Sequence, residues 1–175
     1  AIVWAKDENK RVHGLIVERG MEGFTTPETH NKWSLRASST GELIFDNVRI
    51  PKKNILPGKS GLGAALMCLD SARYGIAWGT IGTAMDCYDT ALRYAKERIQ
   101  FGRPIGSFQA IQHMCADMLL QIESAKSIAY SSVRVDSDDI VELEMSSSMA
   151  KAYCSDVFNK VSGDNIQVHG GIGFT

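Results

Sequence analysis

The hydrophobic period of the chain changes near residue 60. Ahead of Pro51 the apolar residues alternate or come in short runs: Ile2-Val3-Trp4, Gly14-Leu15-Ile16-Val17, Leu43-Ile44-Phe45 and Val48-Arg49-Ile50. Polar turn chemistry separates them at Asp7-Glu8-Asn9, Glu18-Arg19-Gly20 and Ser39-Thr40-Gly41. Short runs divided in this way predict about four or five strands of an antiparallel sheet or barrel. A connector from Pro51 to Gly63 follows, marked by Pro51, Pro57, Gly58, Gly61 and Gly63.

Beyond Gly63 the apolar spacing becomes helical. A first helix is predicted from about Leu62 to Arg98, with Leu66, Leu69, Ile76, Ile81, Met85, Tyr88, Leu92 and Ala95 on its stripe. Gly102-Arg103-Pro104 interrupts the pattern, and Ser107 then offers an N-cap for a second helix with the stripe Ile111, Met114, Met118, Ile122, Ala125 and Ala129. Asp136 to Asp139 read as an acidic turn. A third helix, about Ile140 to Val161, carries Met145, Met149, Ala152, Tyr153 and Val161 on its predicted apolar face. Short connections between three long helices predict antiparallel neighbours in an up-down bundle. The fold class is therefore α+β, with residues 1–60 forming the end of an antiparallel β domain and residues 61–175 a helical bundle domain.

Composition narrows the function classes. Lys plus Arg is 19 against 20 for Asp plus Glu, a formal net charge of -1 in 175 residues. That balance lacks the basic excess that phosphate neutralisation along a nucleic acid requires. The longest charge-free apolar stretch, Tyr74 to Met85, is shorter than the roughly 20 residues of a membrane helix. Neither nucleic acid nor membrane is an expected partner. Cys68, Cys87, Cys115 and Cys154 are scattered through helical patterns with no C-x-x-C, which predicts four buried thiols in a reducing compartment. Four dispersed histidines offer no metal-ligand spacing. The Ala-Ile-Val-Trp-Ala-Lys start does not have the form of a signal peptide, so no secretion is expected. Both ends look cut, one inside a strand and the other in a glycine-rich turn.

Four places carry candidate chemistry. Gly75, Gly79 and Gly82 lie within one helix, each costing about 1 kcal/mol relative to Ala, and predict close approach by another helix or by a ligand. Asp70 and Arg73, three apart, form either an ordinary surface ion pair or a polar pair presented to a ligand. Arg98, Arg103 and the amide of Gln109 are expected to converge at the Gly-Arg-Pro loop as donors for an anion, against the plainer reading of Arg at a helix C-terminus as dipole compensation. Finally, His169-Gly170-Gly171-Ile172-Gly173 allows backbone amides to approach a phosphate or a flat ring, although most such runs are turns.

Lys-Trp-Ser-Leu-Arg-Ala-Ser-Ser-Thr-Gly-Glu-Leu-Ile-Phe-Asp-Asn-Val-Arg-Ile-Pro at 32–51 closely resembles the end of the middle β domain of FAD-dependent acyl-CoA dehydrogenases. Residues 98–109, 111–118 and 167–173 resemble stretches of that family's C-terminal helical domain, in the same order. Residues 68–79, Cys-Leu-Asp-Ser-Ala-Arg-Tyr-Gly-Ile-Ala-Trp-Gly, further resemble the glutaryl-CoA dehydrogenase branch, whereas 167–174 look like the broader family.

The resemblance implies an incomplete C-terminal domain and α,β-dehydrogenation of an acyl-CoA thioester, with hydride passing to FAD and electrons to electron-transfer flavoprotein. It implies that Arg98 and Gln109 hold the pyrophosphate and adenine side of FAD. Gln167, Val168, His169, Gly170 and Gly171 would add backbone contacts, often to the flavin of a neighbouring subunit in a homotetramer. Leu66, Met67, Asp70 and Arg73 would line the acyl-CoA channel. For the three helix glycines the main expected role remains packing. The family's catalytic Glu would fall beyond Thr175, and the alternative position two residues after Asp70 is Ala72, so no catalytic residue is expected in the chain and the chain alone is expected to be inactive. Alternatives are a non-catalytic helical assembly or binding module, and an acyl-CoA oxidase. The expected location is the bacterial cytoplasm or the mitochondrial matrix.

Overall fold

The computed structural model describes residues 1–57, 61–135 and 139–175, which form two compact units, Ala1–Met67 and Cys68–Thr175. Gly58 of the expected connector and Asp136 of the expected acidic turn lie outside the described residues.

In the first unit, β1 (Ile2–Lys6) pairs antiparallel with β2 (Val12–Ile16), Ile2 opposite Ile16 and Lys6 opposite Val12. Asp7 fixes the turn: one carboxylate oxygen accepts from the Arg11 N–H at 2.8 Å and the other lies 3.0 Å from His13 Nε2. The Arg11 bond first, then His13, holds the Asp7 carboxyl below the usual carboxylate range. A second hairpin joins β3 (Phe24–Thr25) to β4 (Ile44–Phe45), with the Phe24 and Phe45 rings stacked at 5.2 Å. Between them, Lys32 Nζ donates to the carbonyls of Leu35 and Ser38 and to Thr40 Oγ1, closing the 32–40 loop on itself. Asn54 is buried and donates to the Ile16 carbonyl at 2.9 Å and to Glu18 at 2.8 Å, tying the segment after β4 back to β2. The expected strand Val48-Arg49-Ile50 is not formed. Asn47 adopts a φ of 51°, a left-handed turn that ends the extended run of β4. Phe24–Thr25, too short to show an alternation, is paired instead.

Three long helices follow: α1 (Leu62–Glu97), α2 (Gln109–Val133) and α3 (Ile140–His169). Asp139 caps α3 by accepting from the Glu142 N–H at 3.0 Å. Their directions follow from the contacts in the second unit. Arg73 reaches Ser148 and Tyr94 stacks on His169, so α1 and α3 run parallel at a constant offset of 75 residues. Trp78 meets Tyr130 edge to face at 5.0 Å, while Leu92 and Ala95 face Ile111 and Cys115, so α2 is antiparallel to α1. The C-terminal ends of α1 and α3 therefore share one end of the bundle with the start of α2.

The core is built from small residues. Ala77, Ile81, Ala84, Ala91 and Ala95 of α1 meet Met118, Ile122, Ala125 and Ala129 of α2 and Ala150, Cys154, Val157, Val161 and Val168 of α3. The α2 stripe follows the expected spacing. The α3 face does not: Met145, Met149, Ala152 and Tyr153 are exposed, and Ser147, Ala150 and Cys154 are buried in their place. Close helix approach selects small side chains, as the Cys154 Sγ at 3.7 Å from the Ala125 carbonyl illustrates, and hydrophobic spacing alone does not reveal that preference. On α1, Leu66, Leu69, Ile76 and Met85 likewise face outward.

Two further expectations are corrected. Ser107 does not cap α2; its Oγ donates to the Pro104 carbonyl at 2.7 Å inside a 3₁₀ turn over Ile105–Ser107, and Phe108 occupies the N-cap position without a side-chain bond. A Cβ placed on Gly75, Gly79 or Gly82 would meet nothing within 4 Å, so the described residues make no close approach there.

Only Cys115 and Cys154 are buried; Cys87 is half-buried and Cys68 is exposed, because it sits on the outward side of α1. Burial pushes the thiols of Cys87, Cys115 and Cys154 up from their ordinary value. Iodoacetamide at neutral pH is expected to label Cys68 in the native protein and to spare Cys115 and Cys154 until it unfolds, which mass spectrometry of tryptic peptides reads directly.

Candidate functional site

Where α1 ends, the chain turns back through a tight hairpin of β5 (Ile99–Gln100) and β6 (Arg103–Pro104). Phe101 and Gly102, with φ of 54° and 78°, supply the two left-handed positions that a two-residue turn of this hand requires. The Ile105 N–H donates to the Arg98 carbonyl at 2.8 Å, holding Arg98 at the base of the hairpin. At the other helix end, Gly170 takes a φ of 62° and donates its N–H to the carbonyls of Gln167 and Ile166. The following 3₁₀ turn over Gly170–Phe174 folds back so closely that a Cβ on Gly173 would lie 2.6 Å from the Ile166 carbonyl oxygen.

These two ends border an open cavity of about 330 Å³ lined by Tyr94, Arg98, Gln100, Ile105, Val168, His169, Gly171 and Ile172. Two of the lining residues, Tyr94 and His169, stack on each other with ring centroids 4.1 Å apart and planes inclined by 26°. His169 Nδ1 lies 2.8 Å from the Asn165 carbonyl, which only accepts, so Nδ1 carries the hydrogen. The Arg98 guanidinium makes no hydrogen bond or ion pair among the described residues. No Asp or Glu lines the cavity. The carbonyl ends of two parallel helices meet here, which favours cations such as Arg98, and the open fork of that guanidinium suits a phosphate or carboxylate.

The structure thus brings Arg98 together with Val168, His169 and Gly171, from segments far apart in sequence. Val168 lines the cavity although the residue is almost wholly buried in the core. Gln167 is exposed and Gly170 serves as the helix terminator; neither lines the cavity. Gln109 is exposed as the first residue of α2 and is also outside the lining. The expected convergence of Arg98 with Arg103 does not occur. The Arg103 guanidinium carbon sits 4.1 Å over the Phe108 ring in a cation–π contact, and neither residue lines the cavity. Asp70 and Arg73 form the helix-surface ion pair, 2.5 Å between Arg73 Nη1 and Asp70 Oδ1, with Asp70 largely covered and Arg73 41% exposed. Leu66 and Met67 are exposed on α1. Tyr94, Gln100 and Ile105 were not singled out by the sequence reading, whereas Ile172 lay within its glycine-rich candidate stretch. Tyr94 carried a usable signal, since it precedes Arg98 by one helical turn and so shares its face.

A sequence model described as the C-terminal domain of acyl-CoA dehydrogenases matches residues 59–175. Subunit CarC of the caffeyl-CoA reductase-Etf complex of Acetobacterium woodii is 36% identical over 99% of this chain and 47% of its own length. Among solved structures, a glutaryl-CoA dehydrogenase of Mycobacterium smegmatis superposes with a TM-score of 0.92 at 39% identity, covering 99% of this chain and 44% of that one. A glutaryl-CoA dehydrogenase from the same organism in complex with FADH2 gives 0.91 at 33% identity, over 99% and 45%. The chain spans about half the length of the curated relatives it matches. With its helical unit covered by the family's sequence model and nearly its whole length by these folds, the chain belongs to the acyl-CoA dehydrogenase family.

Proposed function

We propose that the whole protein is an FAD-dependent acyl-CoA dehydrogenase and that the cavity at the carboxyl ends of α1 and α3 holds a phosphate-bearing part of the flavin dinucleotide. The observation that carries this reading is the meeting of the Arg98 fork with the glycine-rich turn in one cavity that no carboxylate lines. The residues fit that group in their chemistry: a delocalised cation for phosphate, a pair of stacked aromatic rings, and the small Gly171, which leaves its backbone open to a ligand. At about 330 Å³ the cavity accommodates a portion of a dinucleotide. When bound, FAD supplies the acceptor for a hydride from the substrate's β-carbon. The chain's own residues bind and orient: Arg98 offsets phosphate charge, the hairpin holds Arg98 in place, and Gly170 and Gly173 shape the turn beside it.

The finer reading rests on resemblance. Glutaryl-CoA is the proposed substrate from residues 68–79, with Leu66, Met67, Asp70 and Arg73 along the thioester channel. Gln109, Gln167 and Gly170 are proposed to contact more distant parts of FAD. Electron-transfer flavoprotein is the proposed acceptor, which agrees with the Etf complex named for the Acetobacterium relative. A homotetramer in the cytoplasm or mitochondrial matrix completes the proposal. The 175 residues by themselves are expected to turn over no acyl-CoA.

The test is to mix the purified whole protein with glutaryl-CoA and butyryl-CoA under anaerobic conditions and follow flavin bleaching and enoyl-CoA formation. Bleaching with product supports the reading. A flavin that no acyl-CoA reduces contradicts it, and hydrogen peroxide released in air with each turnover favours an oxidase instead.

A further inference from the structure

The segment between β3 and β4 is closed by its own bonds. A bridge between Glu28 and Gly41 and the Thr29 N–H on the Thr40 carbonyl at 2.8 Å join its two stems. Between them the Lys32 ammonium donates to the Leu35 carbonyl, the Ser38 carbonyl and Thr40 Oγ1, and Arg36 Nε donates back to the Lys32 carbonyl at 2.9 Å. A lysine whose donors all go to acceptors of its own loop fixes that loop's shape. What the loop displays is apolar: Trp33 is 98% exposed and Leu35 79%. Leu35 also stands at a φ of 49°, in the left-handed region that a bulky side chain rarely adopts, so the frame holds it there at a cost in free energy. At such exposure neither side chain contributes to the core of the first unit.

Charge around this tip has one sign. Residues 29–41 contain His30, Lys32 and Arg36 and no Asp or Glu. Lys32 is spent on the frame, while the terminal Nη groups of Arg36 make no hydrogen bond or ion pair among the described residues.

We propose that loop 29–41 is a docking tip that seats Trp33 and Leu35 in an apolar recess edged with carboxylates on the electron-accepting flavoprotein. The inference rests on the reading of the whole protein as a dehydrogenase that hands its electrons to such a partner. Trp is among the side chains that most often carry binding energy at a protein interface, and a tip held rigid beforehand loses little entropy on docking. Arg36 and His30 beside it match an acidic rim, which speeds encounter and sets register. A second copy meeting the loop tip to tip would oppose like charges, because a two-fold contact pairs each surface with itself. A lipid surface calls for a denser basic cluster than these two side chains. Among proteins, the Etf complex named for the Acetobacterium relative points to this partner.

The experiment takes the whole protein with the acyl-CoA that bleaches its flavin, at saturation, and measures reduction of purified electron-transfer flavoprotein. Reduction of ferrocenium, an acceptor too small to need a docking surface, is measured in parallel. Trp33→Ala is expected to raise the KM for the flavoprotein about 10- to 30-fold and to leave ferrocenium reduction and thermal stability unchanged. Leu35→Gly suits the left-handed backbone while removing the side chain, so it is expected to fold at least as well and to raise the same KM. Arg36→Gln is expected to flatten the rise of that KM with salt. An unchanged flavoprotein KM in folded Trp33→Ala and Leu35→Gly overturns the inference, as does a salt dependence that Arg36→Gln leaves intact. So does a parallel loss of ferrocenium reduction or stability in both apolar variants, which would place the tip against the rest of the whole protein. A smaller assembly in gel filtration would place it against a second copy and overturns the inference too. A wild type that reduces ferrocenium but no flavoprotein overturns this inference and leaves the dehydrogenase reading standing; one whose flavin no acyl-CoA reduces defeats both.

Discussion

Replacing Arg98 with Ala is expected to weaken FAD binding about 10- to 100-fold, the range that follows from removing a charged hydrogen-bonding partner worth about 1.5–3 kcal/mol. The size of the effect comes from the geometry. The Arg98 main chain is held by hydrogen bonds to the Tyr94 carbonyl and from the Ile105 N–H, and its guanidinium has no internal partner among the described residues and borders a cavity that no carboxylate lines. A ligand phosphate therefore meets a charge that no protein anion has already satisfied. Arg103→Ala is the matched control. It stands five residues away in the same basic motif, but its charge lies on the Phe108 ring, so FAD affinity is expected to change by no more than about twofold. Equilibrium titration of the flavin-free whole protein with FAD measures both. Equal losses for the two variants would mean that the hairpin as a whole, rather than the Arg98 fork, governs binding.

The second large effect is on stability. Met118 is among the largest fully buried side chains, at the centre of a core whose other members are mostly Ala, Val and Cys. Alanine lines much of the facing surface of α1, while longer side chains such as Ile81, Ile122, Tyr88 and Met114 belong to the core or pack against it. Met118→Ala is expected to cost about 2–5 kcal/mol, the range for deleting a buried side chain of this size. The shift in the denaturant midpoint at unchanged slope, followed by circular dichroism, gives the value. A loss below about 1 kcal/mol would show that the three helices do not close on Met118 as described.

Much of this architecture was legible in the sequence, and the parts that were not share a physical reason. The change of period near residue 60 separated strands from helices, and the α2 stripe from Ile111 to Ala129 marked the face that packs inward. The α3 face was misread because Met145, Met149 and Tyr153 carry the hydrophobicity, whereas Ser147, Ala150 and Cys154 have the small size that lets α3 approach α2. Hydrophobic spacing records transfer from water; helix contact also demands fit. Val48 to Ile50 looked like a strand because nothing in its own residues announces that Asn47 turns left-handed. Gly75, Gly79 and Gly82 have no account in the described contacts.

At the site, Arg98 and the 167–173 motif were visible separately, and family resemblance gave them a shared purpose. Their proximity was not visible, because it depends on α1 and α3 running parallel with their carboxyl ends together, a relation set by α2 returning the chain. Arg103 was grouped with Arg98 by sequence closeness, while the tight turn at Phe101-Gly102 sends the two arginines to different places. Tyr94 and Asn165, which hold the His169 ring, gain meaning only when the helix ends are seen side by side.

In the proposed function, this chain contributes a flavin-binding end to an acyl-CoA dehydrogenase. Its most direct test is the flavin content of the purified whole protein, measured by absorbance before and after incubation with excess FAD and removal of free cofactor. The expected result is a yellow protein carrying close to one FAD per chain, with occupancy reduced in Arg98→Ala. A folded protein that stays colourless after incubation with FAD would contradict it.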